Sequence, residues 1–552
     1  MKRYKQLLLV SSLGSLLLMV GAAWQENFAK EWRRTQAVGR NEEGAIPVQL
    51  RQIVNPALGE SDRCVSCHVS MGPGEQGVTG APILSAHKAV VHDPAEYGCT
   101  VCHAGQGLAT DKDAAHGTIE FWPEPMLPKG MYYAGCGACH AAIAVPRREV
   151  LQQATLVFEQ LDCFACHRVD QRGGTMRPGG GGMEGPDLSR VGISGYDAQW
   201  YAKHLKTSSE TKQGPWKTSF ASISETDQSL LKSYLATRVA APTLIEAKSV
   251  FFSTGCLGCH KLSGVGGDEG PDITRAGEKD PGQINLEAAY GVPTLANWMA
   301  DHFRSPASLV RDSQMPILGL SERDVQQLTL FTLSLRRREV PGSYLPRDRV
   351  RAARFGEREF ASDGATLFGA FCAGCHGLNG EGRHAPGMTA FPAIASADFL
   401  RLAPEALIRE TIRKGRPGRR MPAWATDSGL RTEEIDILVT YLRAGSTPSV
   451  DLKPRRWVSG DAAMGQRLFE ASCAGCHGKK GEGGEGPALN NTVLLANATD
   501  TYFVETIARG RTGTQMPAFA EASTVHRTLN TQEIESIVTH LRGWETQTGA
   551  KK

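Results

Sequence analysis

The chain has 552 residues, more than a single hydrophobic core organises, so several domains are expected. Its 61 lysine and arginine residues nearly balance its 58 aspartate and glutamate residues, and the net charge is +3. A balance of this kind does not favour nucleic acid as a partner. The sequence also carries no nucleotide-binding glycine pattern, nucleophile elbow or metal-hydrolase motif.

The amino end has the pattern of a membrane-targeting segment. A basic start, MKRYKQ, precedes 18 uncharged residues, LLLVSSLGSLLLMVGAAW, a length at the lower limit for spanning a bilayer. A cleaved signal peptide and a retained anchor both fit. The length of the run and the helix-favouring QENFAKEWRRTQ after it favour an anchor helix over residues 1–35. The positive-inside rule then keeps Lys2, Arg3 and Lys5 in the cytoplasm and places the remainder in the periplasm.

The cysteines are confined to seven short motifs. All 14 fall into Cys-x-x-Cys pairs, each followed at once by histidine, and none is left over. The motifs join Cys64 and Cys67 with His68, Cys99 and Cys102 with His103, Cys136 and Cys139 with His140, Cys163 and Cys166 with His167, Cys256 and Cys259 with His260, Cys372 and Cys375 with His376, and Cys473 and Cys476 with His477. A zinc knuckle, a redox dithiol and covalent attachment of a c-type haem all use such a pair.

Haem attachment accounts for the whole pentapeptide. Zinc would use a second pair or paired histidines at regular offsets, and a redox dithiol does not require the trailing histidine. Two thiols one helical turn apart can add to the two vinyl groups on one edge of a porphyrin, and the next residue projects its imidazole toward the iron. Seven motifs that use every cysteine therefore predict a heptahaem c-type cytochrome with seven covalently bound haem c groups and their iron.

The first three motifs lie close together and predict a compact three-haem domain over residues 36–148. This segment has three histidines outside the motifs, namely His87, His92 and His116. Three spare imidazoles for three irons predict bis-histidine coordination, since imidazole is a common iron ligand. The alternative for one of these irons is a methionine, Met71, Met126 or Met131. The spacing leaves open which distal histidine serves which haem.

The remaining four motifs are spaced for one small domain each. Each segment repeats an amphipathic stretch, a haem motif, a loop rich in glycine and proline, and a closing helix. The predicted modules are 149–240, 241–340, 357–446 and 460–552, with exposed linkers at 341–356 and 447–459. The predicted fold class is mainly α with much irregular loop: a membrane helix, a three-haem domain and four tandem cytochrome c modules.

A methionine followed by proline recurs about 40 to 55 residues after the haem histidine in three modules, at Met315, Met421 and Met516. A thioether is a soft, neutral ligand that favours ferrous iron and raises the reduction potential. Core packing is the commoner role of an isolated methionine, but the shared Met-Pro position favours ligation.

The first module differs from the other three at this position. Alignment of WYAKHL with WMADHF puts Lys217 where Met315 is expected. Lys217 can bind iron after losing its proton, which burial encourages because it lowers a lysine pKa. Met176 or Met183 from the glycine-rich loop, or an open coordination position, are the alternatives. The aligned His204 and His302 are predicted to be structural, and His384, His526 and His540 to be surface or packing residues.

The four modules resemble class I, mitochondrial-type cytochrome c domains over about 150–240, 243–338, 358–446 and 460–545. In that family the carbonyl of a loop proline accepts a hydrogen bond from the proximal histidine and orients it. The resemblance implies this role for Pro186, Pro271, Pro392 and Pro487.

The stretches DRCVSCH, GCTVCHAGQGLAT, AAHG and CGACH resemble membrane-anchored multihaem c subunits of bacterial quinol-oxidising complexes of the cytochrome bc type, over about residues 25–145. The resemblance implies an electron-carrier subunit, not an enzyme, in the cytoplasmic membrane with its haems in the periplasm. Its implied partners are a cytochrome b or iron-sulfur subunit on the donor side and a soluble cytochrome c or terminal oxidase on the acceptor side. A peroxidase or small-oxyanion reductase with an open haem at His167, and an extracellular conduit or filament subunit, are the alternatives.

Overall fold

The computed structural model is mainly helical, with only short two-stranded sheets. It describes the chain except for residues 1, 76, 89, 120–121, 141–142, 175–184, 195–198, 201–202, 204–222, 280, 337–338, 385–390, 448–452 and 550–552. The described residues form two compact units. One unit comprises Met1–Ala141, Arg275–Leu309 and Thr329–Val350, and the other Ala142–Thr274, Val310–Leu328 and Arg351–Lys552.

The amino-terminal helix, Lys2–Phe28, has no buried residue. Its 27 residues make it about 40 Å long, which exceeds the roughly 30 Å hydrocarbon core of a bilayer. Among the described residues it belongs to the one helical segment long and apolar enough to cross a membrane. The helix predicted from the uncharged run is therefore present.

The first unit is built from short elements around its three haem motifs. Its α-helices are Lys2–Phe28, Glu31–Ala37, Pro94–Tyr97, Thr100–His103, Lys112–His116, Gly137–His140, Leu295–Arg304 and Pro306–Leu309. Its 3₁₀ turns are Cys64–Ser66, Val69–Met71, Pro82–Leu84, Tyr132–Cys136, Ala276–Glu278, Pro281–Gln283 and Leu286–Ala288. Antiparallel hairpins pair Arg40–Asn41 with Gly44–Ala45 and Ile53–Asn55 with Glu60–Asp62.

The core of the first unit joins two distant parts of the sequence. Leu127 and Ala134 from the three-haem segment pack with Trp298 and Met299 from helix Leu295–Arg304. That helix lies within the predicted second module, so the compact units do not follow the predicted module boundaries. The domain boundaries stay a prediction.

The second unit repeats longer helices. They are Arg148–Gln160, Val191–Ser194, Glu225–Ala236, Pro242–Thr254, Gly364–Phe371, Ala373–His376, Ala397–Leu402, Glu405–Lys414, Thr432–Arg443, Ala462–Ser472, Ala474–His477, Thr492–Asn497, Asp500–Arg509 and Thr531–Gly549, with 3₁₀ turns Cys163–Ala165 and Cys256–Gly258. Antiparallel hairpins pair Arg168–Val169 with Arg172–Gly173 and Lys261–Leu262 with Val265–Gly266. Two further helices each contain residues of both units, namely Glu322–Ser334 and Arg347–Phe355.

In three modules the helix before the haem motif packs on the closing helix. An aromatic residue near the end of the first helix is buried at each crossing: Phe158 against Tyr234, Phe368 against Tyr441, and Phe469 against Trp544. The crossing holds the start of the haem motif, because the motif follows the first helix within a few residues. The repeated aromatic residue in the sequence thus has a packing role.

The predicted linker 341–356 is partly exposed and partly packed. It contains helix Arg347–Phe355, in which Asp348 and Ala352 are buried. Its Tyr344 hydroxyl accepts a hydrogen bond from the Asn55 amide at 2.9 Å. The linker stays a prediction, and two of its side chains pack because an arginine-rich helix can still turn its other residues toward a core.

Replacing Phe469 with alanine is expected to lower the free energy of unfolding by about 3–5 kcal/mol, because its ring is fully buried and the cavity would not refill. Urea unfolding of the full chain would measure the change. The control is Arg467→Ala on the exposed face of the same helix, expected to stay within about 0.5 kcal/mol of the parent. A cost for Phe469→Ala no larger than the control's would contradict the assigned packing role.

Candidate haem-attachment sites

Each haem motif forms one helical turn. In six of the seven motifs the backbone N–H of the histidine donates to the backbone carbonyl of the first cysteine at 2.9–3.0 Å. The seventh motif ends in helix Gly137–His140. None of the 14 cysteines forms a disulfide. The turn places both thiols and the imidazole beside one another, as thioether attachment of one porphyrin edge requires. In the described part of the chain, no three His, Cys, Asp or Glu side chains are grouped as a metal-ion site.

The proximal histidines of the four modules are held by proline carbonyls. The Nδ1–O distances are 3.0 Å for His167 and Pro186, 2.9 Å for His260 and Pro271, 2.8 Å for His376 and Pro392, and 2.8 Å for His477 and Pro487. The prediction from the class I resemblance is confirmed at all four positions. Because Nδ1–H donates to a carbonyl, Nε2 of each ring is left with its lone pair for iron.

The three spare histidines of the first unit lie beside motif histidines. The ring centroids of His87 and His103 are 6.1 Å apart, and those of His92 and His140 are 6.2 Å apart. A metal–imidazole bond is about 2 Å long, as at zinc, so two rings on opposite sides of one ion have centroids roughly 6 Å apart. Both pairs therefore have the separation of axial ligands to a single metal ion.

His116 is an electrostatic neighbour of the remaining motif histidine, His68. Burial lowers the pKa of His68, and the neighbouring His116 lowers it further. Burial, followed by the effect of His92, lowers the pKa of His140 to about 4. These imidazoles are therefore neutral at physiological pH and keep the lone pair that a metal ligand needs.

Two of the three methionine alternatives, Met126 and Met131, have other contacts. Met131 packs against the core cluster that contains Trp298. Met126 is part-exposed, and its N–H donates to the His116 carbonyl at 2.9 Å. Histidines, not these two methionines, lie opposite the motif imidazoles of His103 and His140.

The three motifs of the first unit are contiguous. A side-chain hydrogen bond joins Cys64 to Cys99, and it is the main reason that the pKa of Cys64 is lowered. Cys102 lies near Cys139, whose thiol adds to the effect of burial in raising the pKa of Cys102. The haem-attaching edges of neighbouring motifs thus meet through their cysteines.

Burial is the largest influence on the pKa of four thiols in the modules. It raises the pKa of Cys163 and Cys473 to about 11 and that of Cys256 and Cys372 to about 12. These groups are therefore protonated at neutral pH.

The Met-Pro stretches of the last two modules form matching closed loops. The Arg416 N–H donates to the Met421 carbonyl at 2.9 Å, and the Arg511 N–H donates to the Met516 carbonyl at 3.0 Å. The glycine before each arginine is closely covered. A Cβ added to Gly415 would lie 2.5 Å from the Met421 carbonyl oxygen, and a Cβ added to Gly510 would lie 2.6 Å from the Met516 carbonyl oxygen.

This closed loop was not predicted from the sequence, although a shared sequence pattern marks it. GRPGRRMP and GRTGTQMP share Gly-Arg at the same distance before methionine. The common backbone explains why the methionine position is shared: the arginine N–H and the glycine fix the loop that presents it. In the second module, Met315 N–H instead donates to the Ser313 hydroxyl at 3.3 Å.

Several predicted residues fall outside the described part of the chain, namely Lys217, Met176, Met183 and His204. The other histidines have packing or surface positions. The His302 ring stacks on Trp298 with centroids 5.3 Å apart, and His540 lies between Phe469 and Trp544. His384 is exposed.

Comparison with known families identifies two regions of this chain independently of its structure. The family described as "Cytochrome C oxidase, cbb3-type, subunit III" matches residues 359–442 and 460–541, each of which contains one haem motif. This chain contains cytochrome c domains. Such domains carry covalently bound haem c with iron, and the presence of two makes the chain a multihaem c-type cytochrome. Both ranges fall inside the predicted third and fourth modules.

Curated relatives are similar to a comparable length of this chain. The cbb3-type cytochrome c oxidase subunit FixP of Bradyrhizobium diazoefficiens is 34% identical over 166 residues, which cover 28% of this chain and 53% of that protein. Subunit CcoP of Azospirillum sp. (strain B510) is 30% identical over 176 residues, which cover 29% of this chain and 55% of that protein. The chain thus spans about half the length of these relatives.

A solved structure from Kuenenia stuttgartiensis, of a reducing HAO-like protein complex, covers 33% of this chain and 94% of its own. It has 19% sequence identity and a TM-score of 0.23, too low to carry a conclusion about fold. The resemblance of the amino-terminal segment to subunits of cytochrome bc-type complexes stays a prediction.

Intact-mass measurement of the protein matured in a periplasm is expected to give the chain plus seven haem groups. Replacing Cys473 and Cys476 together with alanine is expected to remove one haem, because both thioether bonds of that site are lost. The control is Ala474→Ser, which lies inside the same motif and removes no thiol. A full complement of haem on the double variant would refute attachment at this site.

Proposed function

We propose that this chain is a membrane-anchored, heptahaem electron-transfer subunit. It takes electrons from a quinol-oxidising membrane complex, through a cytochrome b or iron-sulfur partner, and delivers them to a terminal oxidase or a periplasmic cytochrome c. The observation that carries the proposal is the sevenfold recurrence of one Cys-x-x-Cys-His turn with two cysteines outside any disulfide and an imidazole. The chain itself acts as a carrier and not as an enzyme.

The three amino-terminal haems are assigned bis-histidine ligation. Their axial pairs are His68 with His116, His103 with His87, and His140 with His92, supported by the two centroid separations near 6 Å and by the proximity of His116 to His68. Two imidazoles stabilise ferric iron relative to a histidine–methionine pair, so these haems have the lower potentials. They form the entry side of the subunit.

The last three haems are assigned histidine–methionine ligation by Met315, Met421 and Met516. The thioether raises the potential of each haem. Electrons therefore move downhill from the three-haem segment toward the carboxy-terminal modules. For the haem on His167, Lys217 is the preferred sixth ligand, with Met176 or Met183 and an open position as alternatives.

An oxidase is the favoured acceptor because the family match falls on the last two modules. These modules are packed on each other: Arg511 donates to the Ala393 carbonyl at 2.8 Å, and its guanidinium lies over the Phe399 ring at 4.5 Å. The Thr512 N–H donates to the Asp398 carboxylate at 2.9 Å. A pair with a fixed arrangement can present one terminal haem to an acceptor without losing contact with the preceding haem.

Anchoring through Lys2–Phe28 would hold the haem domains at the periplasmic face beside a membrane donor. Purification of the full-length protein from native membranes tests this proposal. A cytochrome b or iron-sulfur subunit, or oxidase subunits, should co-purify and should reduce or oxidise the haems when quinol or oxygen is supplied. Recovery of the chain as a free periplasmic protein with neither activity would contradict the proposed role.

His87→Ala is expected to convert one low-spin haem to a high-spin form that binds carbon monoxide, because the iron of the His103 site loses its sixth ligand. Electron paramagnetic resonance and carbon monoxide difference spectra would measure the change. His384→Ala is the control, since His384 is exposed and belongs to no motif. Identical spectra for the two variants would contradict the assigned ligand pair.

Met421→His is expected to lower the potential of one haem by on the order of 0.2 V, a fraction of the roughly 0.8 V range that axial ligands span. Spectroelectrochemical titration would resolve the shift. Met464→His is the control, because Met464 lies on helix Ala462–Ser472 and is not followed by proline. An unchanged set of seven potentials in Met421→His would exclude Met421 as a ligand.

A further inference from the structure

The haem motifs of the second and third modules touch through glycine backbone. Gly255, just before Cys256, has φ +81°, and a Cβ added there would lie 2.0 Å from the Gly374 nitrogen. A Cβ added to Gly374 would lie 2.3 Å from the Gly255 carbonyl oxygen. Any side chain at either position would force the two backbones apart, so both glycines are needed for this contact.

The contact brings one cysteine of each motif together. The side chains of Cys259 and Cys375 are in hydrogen-bonding contact across the interface. A Cβ on Gly258 would lie 3.8 Å from the Cys375 sulfur. Each sulfur is the atom that bonds to the edge of its own porphyrin.

Further contacts hold the two motifs in register. The Gly266 N–H donates to the Ser428 carbonyl at 3.0 Å, and Arg420 forms an ion pair with Glu269 at 2.5 Å. Helix Pro242–Thr254 also approaches helix Gly364–Phe371, where a Cβ on Gly369 would lie 2.8 Å from the Phe252 carbonyl oxygen. Several independent contacts therefore fix the same interface on both sides of the cysteines.

We propose that this interface is a fixed electron-transfer junction, in which Gly255 and Gly374 are positioning residues that hold the attachment edges of the His260 and His376 haems against each other. The inference rests on the proposed function, since both haems must be attached. An electron that crosses the junction oxidises ferrous iron on one side and reduces ferric iron on the other, with no proton transferred and no bond broken. The junction lets electrons pass directly between the second and third modules.

The sequence offers a matched test. Gly374 and Gly475 occupy the same position in two copies of Cys-Ala-Gly-Cys-His, but a Cβ on Gly475 would meet nothing within 4 Å. Gly374→Ala therefore disturbs the junction, whereas Gly475→Ala makes the same chemical change in an open site. Both substitutions are made in the full-length, haem-loaded protein.

The readout is the interaction between neighbouring haems, measured as spin coupling in electron paramagnetic resonance and as paired bands in Soret circular dichroism. We expect the parent and Gly475→Ala to give the same signals, and Gly374→Ala to lose the contribution of one haem pair. All three proteins should retain equal haem content by mass. Unchanged coupling in Gly374→Ala at full haem content would overturn the junction.

A second pair of variants covers failure of Gly374→Ala to mature. Arg420→Glu should weaken the same coupling by placing two carboxylates together, and Arg420→Glu with Glu269→Arg should restore it. Coupling in Arg420→Glu that is unchanged from the parent would also overturn the junction. Absence of haem from the His260 or His376 site of the parent protein would instead refute the proposed function, and mass measurement of peptides distinguishes that result.

Discussion

The arrangement depends on one turn of helix that fixes two thiols and an imidazole beside each other. In the four modules the imidazole is fixed a second time, because its Nδ1–H donates to a proline carbonyl at 2.8–3.0 Å. A ring held at both the backbone and Nδ1 has little freedom to rotate, so Nε2 has a defined direction. The surrounding helices, above all the crossings with a buried phenylalanine, serve to keep this turn in place.

The residues available as a second axial ligand differ between the two ends of the chain. In the first unit a second histidine lies opposite the motif histidine, and the motifs are contiguous through their cysteines. In the last two modules a glycine and an arginine close a loop around a Met-Pro pair. The residues available opposite the motif histidine thus differ between the two ends of the chain, and the proposed direction of electron flow rests on that difference.

Close backbone contacts at glycine recur where one haem motif meets another. At Gly255 and Gly374 no side chain separates the two motifs, and the adjacent cysteines come within hydrogen-bonding contact. Gly475, at the equivalent position of the last module, faces open space. The same pentapeptide therefore serves in one place as an attachment site alone and in another also as part of an interface. That difference arises from the neighbours and not from the motif.

The sequence by itself determined the local chemistry: seven attachment turns, the proline partners of His167, His260, His376 and His477, and three spare histidines for three early motifs. These features are set by short spacings, because a helical turn and a nearby loop are governed by residues close in the chain. Only the tertiary structure decided which histidines face each other, that helix Leu295–Arg304 packs with the three-haem segment, and that Cys259 meets Cys375. Such contacts join residues far apart in sequence, and their pairing depends on how the helices pack as whole bodies. The spacing of residues in the sequence does not specify that packing.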